Sequence, residues 1–214
     1  ATVDGEFKKL FFWDEVVPGG KYNQFLDKFL PALSEFIDKE GMEPYFHISD
    51  EPNIKQLDTY KKRAKLIDEI FPGFRIIDAL SDYEFYEKGA VKNPIPAEDH
   101  INDFAGNVPE LWTYYCCGQG HSYVPNRFMS MPSLRNRVLG VLLYKYDIKG
   151  FLQWGYNFYN SQYSIKPIDP YKVTDALGNF PSGDSFSVYP YKDTTAESLR
   201  IKVFYEGLQD MRAL

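Results

Sequence analysis

Two adjacent carboxylates, Asp50 and Glu51, end the mostly apolar segment "YFHIS" and are followed directly by Pro52. Two carboxylates at one site can serve as a general acid and a charge stabiliser, which is what glycoside hydrolysis requires. Neighbouring side chains on a strand point to opposite faces, so both carboxylates reach one substrate only if the chain bends. Pro52 disfavours continued strand pairing and favours an extended or turn conformation at Glu51, which predicts a bend at the pair.

The adjacency of the two carboxylates limits how they could act on a sugar. Neighbours in sequence do not easily flank a sugar from opposite sides, as a nucleophile and an acid must. On one side of the ring, one carboxylate could protonate the leaving oxygen while the other steadies a group beside the anomeric carbon. A 2-acetamido sugar supplies such a group, because its own carbonyl can act as nucleophile. Asp-Glu pairs are also common on solvated surfaces, and Asp14-Glu15 has no strand-to-helix unit around it.

Aromatic and polar residues on or just past predicted strands are candidates for substrate contact. The apolar face of a sugar ring stacks on an indole, and a Tyr hydroxyl can reach an acetamido carbonyl. Core packing is the alternative for the aromatic candidates, and an imidazole bonded to backbone is the alternative for His47. Asp184 could bind hydroxyls at the cleft rim, although Gly-Asp is also ordinary turn chemistry. The candidates for substrate binding are His47, Trp112, Tyr114, Trp154, Tyr156, Asn157 and Asp184.

Composition argues against several classes of protein. A net charge of −6 without a basic run argues against nucleic acid and anionic membranes as partners. No apolar stretch approaches the ~20 residues of a membrane span. The first residues do not resemble a signal peptide, so the compartment stays unknown, with the cytoplasm favoured.

Cysteine and histidine spacing predicts neither a metal site nor a cofactor. Cys116 and Cys117 are adjacent, which suits neither a disulfide framework nor a CxxC-type metal site. We expect two reduced thiols, with a vicinal disulfide as the alternative. His100 and His121 form no ligand spacing with the carboxylates.

Helical and strand patterns alternate along the chain, and a long loop is predicted over 160–195. Apolar residues at three- and four-residue steps predict helices over about 22–37, 54–70, 133–147 and 196–214. Short apolar runs predict strands over 45–48, 74–80, 93–96, 111–117 and 150–159, the third of them more weakly.

Continuous apolar strands separated by helices are typical of a parallel sheet covered by helices. Polar and aromatic residues gather at the C-terminal ends of these strands, which is where (β/α)8 barrels carry out their chemistry. We therefore predict an α/β fold of the TIM-barrel type. About five strands are predicted where a barrel needs eight, so the chain is interpreted as a single domain, 1–214, forming the C-terminal part of a barrel.

Five segments in this order resemble one known family: "YFHISDEP", "WTYYCCG", "LGVLLYKYDIKGFLQWGYNFY", "GDSFSVYP" and "SLRIKVFYEGLQD". Together they resemble the catalytic region of glycoside hydrolase family 123 and its many uncharacterised relatives, from about Val3 to Arg212. The resemblance implies an N-acetyl-β-galactosaminidase that works by substrate-assisted catalysis on a barrel. It also implies a glycan substrate, and as partners an upstream remainder of the barrel and a β-sandwich domain.

The resemblance also implies roles for the two carboxylates. Glu51 is the general acid/base, and Asp50 orients and stabilises the acetamido group as it closes to an oxazolinium ion. Two alternatives stay open. A retaining glycosidase acting on sugars without an acetamido group would need a nucleophile from another strand end, for which Asp78, Asp82 and the more remote Glu98 are available. A non-catalytic carbohydrate-binding relative would keep the aromatic residues without a tuned acid.

Overall fold

Parallel strands form the centre of the computed structural model, which describes residues 2–7, 20–119 and 123–214. Asp14, Glu15 and His121 lie outside the described residues. A short antiparallel hairpin comes first, made of β1 (Thr2–Val3) and β2 (Glu6–Phe7). The parallel strands are β3 (Tyr45–Phe46), β4 (Arg75–Ala79), β5 (Asn93–Ile95), β6 (Trp112–Tyr114) and β7 (Gly150–Leu152).

Helices lie between consecutive parallel strands, as parallel pairing requires. The long helices are α1 (Lys21–Glu40) before β3, α2 (Leu57–Ile70) between β3 and β4, and α7 (Leu199–Ala213) at the end of the chain. The short helices are α3 (Glu84–Glu87), α4 (Ile101–Phe104), α5 (Ser133–Arg137) and α6 (Leu139–Lys145).

Local sequence signals set the ends of the helices that flank β3. α1 continues through Pro31 and ends at Gly41, whose φ of 61° is in the left-handed region that glycine adopts without strain. Asn53 and Gln56 form a capping box at the turn that leads into α2. The Gln56 side chain accepts from the Asn53 N–H at 2.9 Å, and the Asn53 side chain accepts from the Lys55 N–H at 3.1 Å. These two ends fix the short segment between them, and that segment contains Asp50 and Glu51.

The strand order follows the order of the chain. β4 pairs with β3 and with β5, and β6 pairs with β7. A parallel bridge between Ala97 and Tyr114 links the two small sheets, and the Tyr114 N–H donates to the Pro96 carbonyl at 3.2 Å. An α/β fold with parallel sheets is therefore confirmed. Five strands do not close a barrel, so the eight-stranded barrel stays a prediction.

Apolar side chains from the helices pack on one side of these strands. The largest cluster is centred on Phe85, Phe104 and Tyr115, each of which is completely buried. Partly buried residues of α7, among them Phe204 and Leu208, pack against the same cluster. The closing helix thus packs against β7, where the ring of Phe204 lies 5.6 Å from that of Phe151.

Three predicted boundaries are wrong. The strand expected over 150–159 ends at Leu152, and the chain then forms only an isolated antiparallel bridge between Asn157 and Phe186. The helix expected over 133–147 is divided into α5 and α6 at Val138. The loop expected over 160–195 contains part of an antiparallel hairpin, β8 (Val188–Tyr191) and β9 (Thr194–Glu197).

Candidate active site

A cavity of about 480 Å³ opens where the parallel strands end, and Asp50 and Glu51 both line it. We call it the Trp154 cavity. Its wall comes from segments that follow or end β3, β4, β6 and β7, which places it at the carboxyl ends of the strands. The other lining residues are His47, Ile77, Ala79, Tyr114, Cys116, Cys117, Leu152, Trp154 and Phe180.

A bend brings the two carboxylates to the same cavity. β3 ends at Phe46, and Glu51 has a φ of 42°, in the left-handed region that non-glycine residues rarely adopt. The Glu51 N–H donates to the Ala79 carbonyl at 2.9 Å, which ties the bend to the end of β4. Adjacent side chains therefore do not alternate here as they would on a continuous strand.

Asp78 holds the backbone just before this bend in place. Its side chain is completely buried, and it accepts hydrogen bonds from the Ile48 N–H at 2.8 Å and the Ser49 N–H at 3.0 Å. The Tyr60 hydroxyl donates to Oδ2 of Asp78 at 2.6 Å, and His47 Nδ1 lies 3.0 Å from Oδ1, the oxygen that accepts from the two backbone N–H groups. Burial raises the pKa of Asp78, and these hydrogen bonds and His47 act in the opposite direction. Asp78 is thus a fixed anchor for the residues just before the carboxylate pair.

Tyr114 orients the Glu51 carboxylate. The Tyr114 hydroxyl donates a hydrogen bond to Glu51 Oε1. Ser81 lies close to Tyr114 and lowers its pKa, and Ser81 Oγ accepts from the Ala97 N–H at 3.0 Å. Burial is the main cause that raises the pKa of Tyr114, and the nearby Glu51 adds to it. The phenol therefore stays protonated and remains a donor to Glu51.

Trp154 forms an aromatic wall of the cavity together with Phe180, whose ring centroid lies 4.9 Å from that of the indole. The Trp154 Nε1–H donates to Asp184 Oδ2 at 3.2 Å. Asp184 is completely buried, and this burial raises its pKa to about 6 although Arg127 lies near. Asp184 thus holds the indole in place, while Trp154 as a residue is 41% exposed and lines the cavity.

Cys116 and Cys117 are free thiols that both line the cavity. The chain leaves β6 in a turn, in which the Cys116 N–H donates to Gln119 Oε1 at 2.9 Å. A hydrogen bond between the two thiols raises the pKa of Cys116 and lowers the pKa of Cys117 to about 7. Cys117 is the more exposed of the two, so it is the thiol that reagents reach.

The other predicted substrate residues lie away from the cavity. Trp112 begins β6, at the opposite end of the strand, and its ring lies 5.3 Å from that of Tyr45. Tyr156 and Asn157 are exposed and do not line the Trp154 cavity. Of the seven predicted substrate-binding residues, His47, Tyr114 and Trp154 line the cavity, and Asp184 contacts it through Trp154.

Sequence reasoning missed the supporting residues Tyr60, Ser81 and Phe180. Each acts through a contact with a segment at least 16 residues away in the chain, such as Ser81 with Ala97 and Tyr60 with Asp78, so no local pattern marks it. Among residues 2–7, 20–119 and 123–214, no three His, Cys, Asp or Glu side chains group as a metal site. No helix in that part of the chain is long and apolar enough to cross a membrane.

Comparison with known proteins identifies the family of this chain. The model of the glycoside hydrolase 123 catalytic domain matches residues 2–214. The chain belongs to glycoside hydrolase family 123. A search of curated proteins gave no match.

A solved structure with the same fold is a family 123 glycoside hydrolase from Clostridium perfringens, which was analysed for its hydrolysis of glycolipid glycans. The TM-score is 0.62 at 21% sequence identity, over 91% of this chain and 35% of that chain. The family 123 chain described here therefore spans about a third of the length of the protein it matches.

The hydrogen bond from Tyr60 to the buried Asp78 predicts that removal of the Tyr60 hydroxyl lowers the free energy of unfolding. Tyr60→Phe leaves one buried oxygen of Asp78 without its donor, which costs about 1–3 kcal/mol in the free energy of unfolding. Urea unfolding of the full-length protein measures this loss. Tyr86→Phe is the matched control, because the Tyr86 hydroxyl bonds to the Asn107 carbonyl at an exposed position, and we expect a loss below about 0.5 kcal/mol. Equal losses of unfolding free energy in the two variants would contradict the role of Asp78 as an anchor.

The thiol pair predicts unusual reactivity of Cys117. Alkylation by iodoacetamide, followed by peptide mass analysis, should show a rate that rises with pH through a midpoint near 7, because the thiolate is the nucleophile. Cys116→Ala removes the hydrogen bond and should move the midpoint up, toward the value of an ordinary thiol at about 8.5. A midpoint above 8 in the unmodified protein would contradict the role of the pair.

Proposed function

We propose that the protein removes terminal N-acetyl-β-hexosamine residues from glycans by substrate-assisted, retaining hydrolysis, with N-acetylgalactosamine as the favoured sugar. The observation that carries this proposal is that Asp50 and Glu51, adjacent in sequence, line one cavity from one side. A pair so placed leaves the opposite side of the sugar without a protein carboxylate from this segment. The acetamido group of the substrate then takes the part of the nucleophile.

Each carboxylate has a separate task in this mechanism. Protonated Glu51 gives its proton to the glycosidic oxygen as the bond to the anomeric carbon breaks. The acetamido carbonyl oxygen attacks the anomeric carbon and forms an oxazolinium ion, whose positive charge Asp50 stabilises. Ionised Glu51 then takes a proton from the water that opens this ring, so two inversions leave the configuration unchanged.

The contacts of Glu51 support this sequence of steps. The hydrogen bond from Tyr114 fixes one oxygen of Glu51, so the other oxygen is available for proton transfer. The same bond stabilises the ionised form that Glu51 takes after it has protonated the leaving group. Tyr114 also borders the cavity, and we assign its phenol to positioning Glu51 beside the sugar.

The walls of the Trp154 cavity support a sugar as ligand. The exposed indole of Trp154, backed by Asp184, offers a flat surface for the apolar face of a pyranose ring. Ala79 and Leu152 are small or apolar lining residues that could receive the acetamido methyl group. We assign His47 to the rim as a further contact, while no role in substrate binding is assigned to Trp112, Tyr156 or Asn157.

We also propose that the five parallel strands are the last five of a (β/α)8 barrel. The consecutive strand order supports this, because a barrel places neighbours in the chain side by side. The first strands of the barrel, and a β-sandwich domain, would then come from the remainder of the protein. The catalytic unit is therefore the full-length protein, and experiments on activity should use it.

The contacts of the other carboxylates disfavour a protein nucleophile. Asp78 is completely buried and accepts hydrogen bonds from three donors. Glu98 is buried outside the cavity, and burial raises its pKa to about 9, which leaves it neutral at pH 7. Asp82 does not line the Trp154 cavity. Among the described residues, these three are the candidates for a nucleophile in a mechanism for sugars without an acetamido group.

The proposal predicts which substrates are cleaved. The full-length protein should hydrolyse aryl N-acetyl-β-galactosaminide, and N-acetyl-β-glucosaminide more slowly, but not the same sugars without the acetamido group. Glu51→Gln should lower kcat on acetamido substrates bearing a sugar leaving group by about 10²–10⁴-fold, because the general acid is lost. Glu69→Gln, an exposed residue of α2 paired with Lys65, should keep the activity of the unmodified protein.

Cleavage of the plain sugars at a comparable rate would contradict the substrate-assisted mechanism and direct attention to Asp82 as nucleophile. Binding of sugars without any hydrolysis would support the carbohydrate-binding alternative.

A further inference from the structure

A small cavity of about 190 Å³ lies between the segment 126–133, α5 and the start of α7. We call it the Arg127 cavity. It shares no described lining residue with the Trp154 cavity. Its charged lining residues are Arg127 and Arg200, and no Asp or Glu lines it within the described part of the chain. The cavity is smaller than the sites of drug-sized ligands, about 300–1,000 Å³, so its size suits a compact ion.

The Arg127 side chain lies inside the protein and is only partly hydrogen-bonded. Arg127 is 7% exposed. Its Nη2 donates to the Gly155 carbonyl, and to the Asp184 carbonyl at 2.7 Å. Its Nε is buried and has no hydrogen-bond partner among the described residues. A buried donor on a charged group is costly without an acceptor, so this position favours a ligand that carries one.

Arg200 brings a second guanidinium to the same cavity. Its Nη2 donates to the Phe186 carbonyl at 2.8 Å, and its Nε is likewise buried without a partner in the described ranges. Burial lowers the pKa of Arg127, and the positive charge of Arg200 adds to this effect. Two like charges this close repel each other inside a protein, and an anion between them would remove that repulsion.

The nearby negative charge does not balance the two guanidinium groups. Neither Arg127 nor Arg200 forms an ion pair with a carboxylate of the described residues. The charge of Asp184 acts on Arg127, but the Asp184 side chain accepts its hydrogen bonds from Gln153 and Trp154. Two positive charges therefore meet one carboxylate here, and buried charge is costly unless it is compensated.

The start of α7 also favours negative charge in this cavity. Leu199 and Arg200 are the first two residues of this 15-residue helix, and both line the cavity. The first N–H groups of a helix have no acceptor within the helix, and the macrodipole places partial positive charge there. The Ser198 side chain caps the Ile201 N–H rather than that of Leu199 or Arg200.

We propose that the Arg127 cavity binds a small tetrahedral oxyanion of the phosphate or sulfate type. The planar fork of a guanidinium matches the oxygens of such an ion, and the start of a helix is a further donor to it. One ion with four oxygens can accept from both arginines and from the helix, whereas chloride has a single centre. The proposed function does not enter this inference, since the residues involved lie outside the Trp154 cavity.

The bound ion would connect three parts of the chain. It would join the segment of Arg127 to α7 and to the start of α5, where Ser133 lines the cavity. Arg127 holds the carbonyls of Gly155 and Asp184, so the ion would also stabilise the segments on either side of Trp154. We therefore assign it a structural role.

Calorimetric titration of the full-length protein with inorganic phosphate, sulfate and chloride, each in a separate experiment, tests the site. Phosphate and sulfate should bind with a Kd below about 1 mM, and chloride at least about tenfold more weakly, because it serves fewer donors. Arg200→Gln removes one charge and one donor, and should weaken phosphate binding by at least about tenfold.

A second variant keeps the test independent of folding. Leu199 is 76% exposed, and an acidic residue in the first turn of a helix is stabilising. Leu199→Glu should therefore leave the Tm without added anion unchanged or higher, yet weaken phosphate binding by at least about tenfold through repulsion. Leu66→Glu, the same change at an exposed position of α2, is the control and should keep the phosphate affinity of the unmodified protein.

No measurable binding of phosphate or sulfate to the unmodified protein would overturn the site. Equal phosphate affinity in Leu199→Glu and the unmodified protein would do the same, because the ion would then bind elsewhere. Chloride binding as tight as that of phosphate would overturn the assignment to an oxyanion.

Discussion

The buried carboxylate of Asp78 is the constraint on which the candidate site depends. A completely buried carboxylate is costly unless its oxygens receive hydrogen bonds, and the donors here are two backbone N–H groups just before the carboxylate pair and the Tyr60 hydroxyl. The same interactions that make burial of Asp78 tolerable thereby fix the path of the chain into Asp50. The left-handed conformation of Glu51 follows directly after this fixed segment, and its cost of about 1–3 kcal/mol is typical of strain held at functional sites.

Glu51 and Tyr114 line the Trp154 cavity together. The hydrogen bond from the buried Tyr114 phenol fixes the Glu51 carboxylate there. Ser81 lies close to Tyr114 and accepts a hydrogen bond from the Ala97 N–H, just after β5. The backbone that follows β5 therefore helps to position Glu51, which follows β3.

The sequence was sufficient for those features that arise from local patterns. The helical spacing over 22–37 and 54–70 and the short apolar runs all predicted elements that the structure contains. Bringing Asp50 and Glu51 to one cavity was also predictable, because a proline after a strand favours a bend. The family resemblance rested on these same segments.

Features set by distant contacts could not be predicted in this way. β7 ends at Leu152. Three residues later the chain at Gly155 passes so close to Asp184 that a Cβ there would lie 2.7 Å from the Asp184 carbonyl oxygen. Asp184 looked like a residue of the cleft rim, but it is buried behind Trp154 by the packing of residues 30 positions apart. Trp112 shares a strand with Tyr114, yet it begins that strand, and only the carboxyl end reaches the cavity.

The central claim is that the acetamido group of the substrate is the nucleophile and that Asp50 stabilises the ring it forms. The most direct measurement is calorimetric binding of an N-acetylhexosamine-derived thiazoline, a stable analogue of the oxazolinium ion, to the full-length protein. The account predicts binding at least about 100-fold tighter than that of free N-acetylhexosamine, and loss of this advantage in Asp50→Ala. Binding no tighter than the free sugar, or equal binding by Asp50→Ala, would contradict it.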